Sequence, residues 1–126
     1  MATVAVTPAT NKLSLINIGL WSFQIIIASL MIMAGLPKLT GDPTKVELFQ
    51  AIGLGQWFRY LTGSLELLGA IGLLIPKLSG YAAVLVALVM SGAVITHLTL
   101  LGGSPAIALA LFLGSVLVAL GRLWRK

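Results

Sequence analysis

Two ionisable side chains interrupt long apolar stretches of this sequence. Glu66 lies within LTGSLELLGAIGLLIP, residues 61–76, and His97 lies within ITHL, residues 95–98. A charge at the centre of a membrane-spanning helix costs roughly 2.5 to 3.5 kcal/mol on insertion scales, so it requires a partner, a proton or a function. A carboxyl group and an imidazole placed close together can exchange or share a proton. We therefore take Glu66 and His97 as the candidate catalytic residues.

A proton-handling pair inside a membrane suits two kinds of chemistry, quinone redox reactions and proton-coupled transport. A purely structural role is the alternative. In that case Glu66 accepts hydrogen bonds from His97, Arg59 or Gln24 and fixes how the helices pack. The residue types alone leave both interpretations open.

The composition of the chain indicates whether these residues lie in a soluble protein or in a membrane protein. Of the 126 residues, 59% are hydrophobic and 9% are charged, against about 25% charged in a typical soluble domain. The chain is therefore predicted to be an integral membrane protein of one domain. Its basic residues are dispersed between apolar runs, which favours lipid headgroups over nucleic acid as their partners. With no cysteine and one histidine, no metal site is predicted.

The apolar runs predict an all-α fold, a bundle of four transmembrane helices in a single domain over residues 13–126. A disordered tail is expected before it, at residues 1–12. The helices are delimited by glycine, proline and charged residues. Their predicted ranges are about 13–36, 56–75, 80–101 and 105–121.

A short fifth helix is predicted between the first two spans. Asp42 followed by Pro43 is typical of an N-cap and first helical turn, and the helix should run from about Pro43 to Ala51. Its mixture of apolar and charged residues favours a position in the membrane interface. Four spans place both termini on one side, with five basic residues against three on the other, so the positive-inside rule predicts cytoplasmic termini and an outer interfacial helix.

Two helix faces are predicted to meet at the centre of the bundle. Steps of three or four residues from Glu66 give a stripe of polar and small residues, and the first helix has a matching seam. The stripe comprises Arg59, Thr62, Gly63, Glu66, Gly69 and Ala70, and the seam comprises Gln24, Ala28, Met31, Gly35 and Lys38. We expect an outward-opening pocket that contains Glu66 and His97. The candidate ligand-binding residues are Lys38 and Arg59 at its rim, with Gln24, Thr62 and Met31.

The last helix carries small residues at intervals of four, Ala106, Ala110 and Gly114, with Ser115 beside them. Small residues at this spacing allow a neighbouring helix to approach closely. The fourth span is therefore predicted to be a packing helix.

Three segments resemble the DoxX or DoxX-like family of small four-helix membrane proteins. They are AGLPKL at 34–39, SLELLGAIGLLI at 64–75 and ITHL at 95–98, and the similarity extends over about residues 15–121. The matching positions are Lys38, Glu66 and His97. The resemblance implies a bacterial inner-membrane subunit of an oxidoreductase system, since the name-giving relatives are tied to a thiosulfate:quinone oxidoreductase. It also implies a quinone ligand, a redox partner protein and a subunit that is not an autonomous enzyme.

Two other functions stay open at this point. One is a non-enzymatic membrane adaptor or assembly chaperone, and the other is an intramembrane isomerase or hydrolase-like enzyme that uses Glu66 as its acid-base group. A narrow bundle leaves most of its helix surface facing outward, so homo-oligomers are also expected. A cavity between the helices favours a ligand-binding function, whereas a close-packed interior favours the adaptor.

Overall fold

The computed structural model describes the backbone of residues 8–101 and 105–123 and the side chains of residues 15–99 and 105–123. Over these residues it is helical with no strand, which confirms the predicted all-α class. A π-helical turn, His97–Leu101, continues the fourth helix without a break. The helices are α1 (Pro8–Thr40), α2 (Pro43–Ile52), α3 (Gln56–Leu74), α4 (Ser79–Thr96) and α5 (Ala106–Leu123).

The four long helices form a closed ring in which each packs against two others. Helix α1 contacts α3 and α5, and α4 contacts the same two helices from the opposite side. The short helix α2 lies across one end of the ring, against α3, the end of α1 and the π-helical turn. Apolar side chains from all four long helices fill the centre of the ring. They include Ile27, Met31, Leu73, Val86, Met90, Leu111 and Val118.

Helix α1 is longer at both ends than the sequence predicted. It begins at Pro8, so the tail expected over residues 1–12 overlaps the helix, and residues 1–7 of that tail lie outside the described residues. At the other end it continues through Pro37 to Thr40. Lys38 therefore lies in the last helical turn, where the helix fixes the direction of its side chain.

The turn between α1 and α2 has the expected capping chemistry. Gly41 has φ of 81°, and the N–H of Asp42 donates to the carbonyl oxygen of Pro37 at 3.0 Å, the bond that closes a Schellman-type helix end. The Asp42 carboxylate then accepts from the N–H of Thr44 at 2.9 Å and caps α2, as predicted. Gly53, with φ of 85°, ends α2.

Three of the described helical segments are long and apolar enough to cross a membrane, Leu15–Thr40, Ser79–Thr99 and Ala106–Leu123. Helix α3 was predicted as a fourth span, but it does not meet this criterion. The reason is chemical: α3 carries Gln56, Arg59 and Glu66, and these residues lower its mean hydropathy.

Glycines set the distance between α3 and α4. A Cβ atom added to Gly69 would lie 2.6 Å from Cγ2 of Val86, and one added to Gly72 would lie 2.7 Å from Cβ of Ala82. Both distances are too short for carbon atoms, so the two helices pack more closely than any larger residue permits.

We expect Gly69→Ala to destabilise the bundle by about 1–3 kcal/mol, the usual cost of an overpacked core. The β-branched Val86 has little rotamer freedom in a helix with which to relieve the contact. Thermal unfolding in detergent measures the change. Gly19→Ala is the matched control, since nothing lies within 4 Å of a Cβ atom at that position. Equal stabilities for the two variants would contradict this account of the α3 and α4 contact.

Candidate functional site

A buried ion pair joins α1 to α3. The Nζ atom of Lys38 donates to Oε1 of Glu66 at 2.6 Å, and the two side chains are 11% and 3% exposed. An ammonium and a carboxylate at this distance form a charge-assisted hydrogen bond, about twice as strong as a neutral one. The ion pair therefore answers the need of Glu66 for a partner.

Two glycines let the helices approach closely enough for this pair to form. A Cβ atom on Gly63 would lie 3.1 Å from the carbonyl oxygen of Gly35 and 3.0 Å from Cβ of Lys38. Both glycines are buried, as the stripe on α3 and the seam on α1 predicted. The same contact that brings the backbones together thus places Lys38 opposite Glu66.

Arg59, on α3, binds the backbone at the end of α1. It is 5% exposed, and its Nη1 atom donates to the carbonyl oxygen of Lys38. A carbonyl in the last turn of a helix lacks an intrahelical donor, so the guanidinium satisfies it. Arg59 was predicted at the rim of the pocket, and it is not among the residues that line the cavity described below. Its long side chain reaches across to α1 instead.

A chain of hydrogen bonds extends from Arg59 to α2. The Nε atom of Arg59 donates to Oε1 of Gln56 at 2.7 Å, and Nε2 of Gln56 donates to the carbonyl oxygen of Val46 at 3.1 Å. The bonds thus run from α2 through Gln56 and Arg59 to the backbone of Lys38, whose side chain pairs with Glu66. A continuous series of hydrogen bonds therefore links helix α2 to Lys38, the basic member of the ion pair.

A cavity of about 350 Å³ lies between α2, α3 and α4, with Lys38 at its α1 side. Its volume is near the lower end of the range for small-molecule sites. Its polar side chains are Lys38, Lys45, Thr62, Glu66, Thr96 and His97. Its apolar wall includes Leu48, Phe49, Ile52, Phe58, Leu61, Leu65, Val89 and Met90. The cavity thus combines an apolar body with a few convergent polar groups.

His97 enters this cavity from the start of the π-helical turn. Such turns are rare and are often found at functional sites. The Nδ1 atom of His97 is buried and has no hydrogen-bond partner among the described residues. No hydrogen bond between His97 and Glu66 is present in the described part of the chain either, although both line the same cavity. The structure therefore places both side chains at one cavity without a direct bond between them.

The sequence model of the DoxX-like family matches residues 22–120. The chain belongs to the DoxX-like family. This confirms the resemblance, and the matched range contains Lys38, Glu66 and His97. No curated protein and no solved structure gives a match.

Gln24 of this DoxX-like protein belongs to a second polar cluster, at the other end of the ring. It is fully buried, donates from Nε2 to the carbonyl oxygen of Leu73 at 2.7 Å and accepts from Nε of Arg122 at 2.6 Å. Arg122 also donates to Oδ1 of Asn17 at 2.7 Å. Gln24 was predicted to be a pocket residue, and it is not among the residues that line the cavity. Asn17 precedes Gln24 by seven residues, a spacing that places both on one face of a helix. This spacing is the feature of the sequence that could have indicated the cluster.

The remaining candidates divide between cavity and core. Thr62 lines the cavity, with its hydroxyl donating to the carbonyl oxygen of Phe58 at 2.8 Å. Met31 is 1% exposed and lies in the apolar core instead. The cavity-lining candidates of this DoxX-like protein are therefore Lys38, Thr62, Glu66 and His97. No three His, Asp or Glu residues are grouped to hold a metal ion within the described chain.

We expect Lys38→Met to cost about 3–5 kcal/mol of stability, because it leaves the Glu66 carboxylate buried without its counter-charge. Adding Glu66→Leu should restore much of that loss, since the double variant leaves neither charge unpaired. Unfolding of both single variants and the double variant in the same detergent measures the coupling. Losses that simply add would show that the two side chains do not interact in the folded protein.

Proposed function

We propose that this DoxX-like protein binds a lipid-soluble small molecule with a quinone-type head group in the cavity between α2, α3 and α4. It would do so as a membrane subunit of a redox system. The observation that carries the proposal is the cavity itself, which places the Lys38 and Glu66 ion pair and His97 against an apolar wall.

The side chains in the cavity fit such a head group. A quinone presents two carbonyl oxygens on a flat apolar ring, and it supplies two-electron, two-proton chemistry when bound. The Lys38 ammonium is a hydrogen-bond donor, and His97 is a donor at one ring nitrogen. Phe49 and Phe58 offer aromatic faces in the wall. The residues would therefore orient the ring and keep exchangeable protons beside its oxygens.

Electrons would have to come from a partner protein. The chain has no cysteine and only one histidine, and thiolates and imidazoles are the usual ligands of protein-bound redox metals. The subunit would thus bind and position the quinone while a soluble or membrane partner oxidises or reduces it.

The proposed membrane placement counts α3 as the fourth span. Its two charged residues are turned inward, with Arg59 at 5% and Glu66 at 2% exposure, whereas its outer surface carries exposed apolar residues such as Leu68 and Ile71. A helix whose charges are enclosed by its neighbours is compatible with lipid on its outer face. Helix α2 would then lie in the membrane interface.

The proposed orientation places both termini in the cytoplasm of a bacterial cell and the cavity end outside. It follows the excess of basic residues at the terminal end of the bundle. Lys77 and Arg122 are on that side; the side chains of Lys12, Arg125 and Lys126 lie outside the described residues. Lys38, Lys45 and Arg59 mark the opposite end.

The cavity favours ligand binding over the two alternatives. An adaptor that works through its outer surface requires no cavity between its helices. An acid-base enzyme requires a carboxyl group that moves a proton, but Glu66 is held by Lys38 at 2.6 Å.

The test uses a substitution that fills the cavity. Gly92 lines the cavity and nothing lies within 4 Å of a Cβ atom built there, so Gly92→Leu should occupy the open space without disturbing the fold. We expect the affinity for a short-chain ubiquinone analogue, measured by calorimetry in detergent, to fall by about tenfold or more, equivalent to at least 1.4 kcal/mol.

Gly19→Leu is the matched control, since Gly19 is also open to added atoms and lies outside the cavity. It should bind the analogue as the wild type does. Absence of binding to the wild-type protein, or equal binding to the protein with Gly92→Leu, would refute the proposal. Mass spectrometry of quinones and proteins that co-purify from native membranes identifies the physiological ligand and partner.

A further inference from the structure

The charges around the cavity do not balance. The chain has only three acidic residues. The Asp42 carboxylate caps α2 by accepting from Thr44, Glu47 is exposed on α2, and Glu66 is paired with Lys38. Lys45 lines the same cavity and has no carboxylate within ion-pair distance among the described residues. Two lysines and one carboxylate line the cavity, so one lysine charge there has no carboxylate to compensate it.

Lys45 is placed where this charge acts on the cavity. It lies in the first turn of α2 and is only partly exposed. Glu47 follows it by two residues, and side chains at that spacing do not face each other on a helix. The nearest acidic residue along the chain is thus poorly placed to neutralise Lys45.

A second group in the cavity is also unsatisfied by the protein. The buried Nδ1 atom of His97 has no partner among the described residues. A buried polar atom without a hydrogen bond costs free energy that a ligand recovers when it supplies the missing partner. If this nitrogen carries the proton, it donates to an acceptor on the ligand.

We propose that the cavity selects a lipid-soluble molecule whose head group carries a single negative charge. The charge would pair with Lys45, an oxygen of the head group would accept from His97, and the apolar body would lie against Phe49, Leu61 and Leu65. Charges enclosed by apolar walls interact more strongly than charges in water. This inference rests on the proposed function and narrows its ligand from quinones in general to those with an acidic group, such as a ring hydroxyl that ionises near neutral pH.

The experiment compares two probes that differ by one acidic group. The first is a 3-alkyl-2-hydroxy-1,4-naphthoquinone, which is ionised at neutral pH, and the second is the same alkylnaphthoquinone without the hydroxyl. We expect the wild-type protein in detergent at low salt to bind the anionic probe at least about tenfold more tightly, within the range measured for close charge pairs at interfaces. The preference should shrink as salt is added.

Variants at Lys45 test whether this residue causes the preference for the anionic probe. Lys45→Met should bind both probes alike, whereas Lys45→Arg should keep the preference, and unchanged thermal unfolding shows that both are folded. Lys77→Met is the matched control, because Lys77 is an exposed lysine outside the cavity, and it should behave as the wild type does.

The outcomes separate this inference from the proposed function. Equal wild-type affinity for the two probes, or a preference that survives Lys45→Met, would overturn the anion selection while leaving a quinone site in place. Failure of both probes and of the ubiquinone analogue to bind would overturn both.

Discussion

The arrangement of this membrane protein depends on the compensation of one carboxylate. Glu66 lies in the middle of α3 and is 2% exposed, an environment in which an isolated ion is too costly to keep. Lys38 supplies the counter-charge at 2.6 Å. Because Lys38 belongs to the last turn of α1, the pair also fixes the relative position of the two helices. Close backbone contact at Gly35 and Gly63 and the bond from Arg59 to the Lys38 carbonyl both support that position.

The amino-acid pattern predicted which helix faces are buried. It did not predict which groups the long polar side chains on those faces bind. Steps of three and four residues identified the α3 stripe and the α1 seam, because helix geometry fixes direction. The same steps placed Arg59, Gln24 and Met31 around one pocket. In the structure Arg59 reaches the carbonyl of Lys38 and Gln24 reaches Arg122. Flexible side chains several bonds long allow many partners, and spacing along the chain does not rank them.

Helix α5 shows a second limit of the pattern. The spacing of Ala106, Ala110 and Gly114 predicted a packing face, yet Ala106 and Ala110 are exposed. The buried face is instead formed by Ala108, Leu111, Ser115 and Val118. In lipid an alanine is tolerated on either face, and leucine is no more favourable inside than outside. Hydrophobicity therefore carries little orientation signal on a span without charged residues, whereas α3 is oriented by Arg59 and Glu66.

Gln24 and the cavity side chains, at opposite ends of the ring, differ in whether the described residues supply their hydrogen-bond partners. Gln24 is fully buried and both ends of its amide are hydrogen-bonded, to Leu73 and Arg122. A buried amide with its partners in place stabilises packing and has no need of a ligand. In the cavity the ion pair is satisfied, but Nδ1 of His97 and the charge of Lys45 have no partner among the described residues. Nδ1 of His97 and the charge of Lys45 lie beside an open volume that a ligand can enter, and the proposed function rests on that volume.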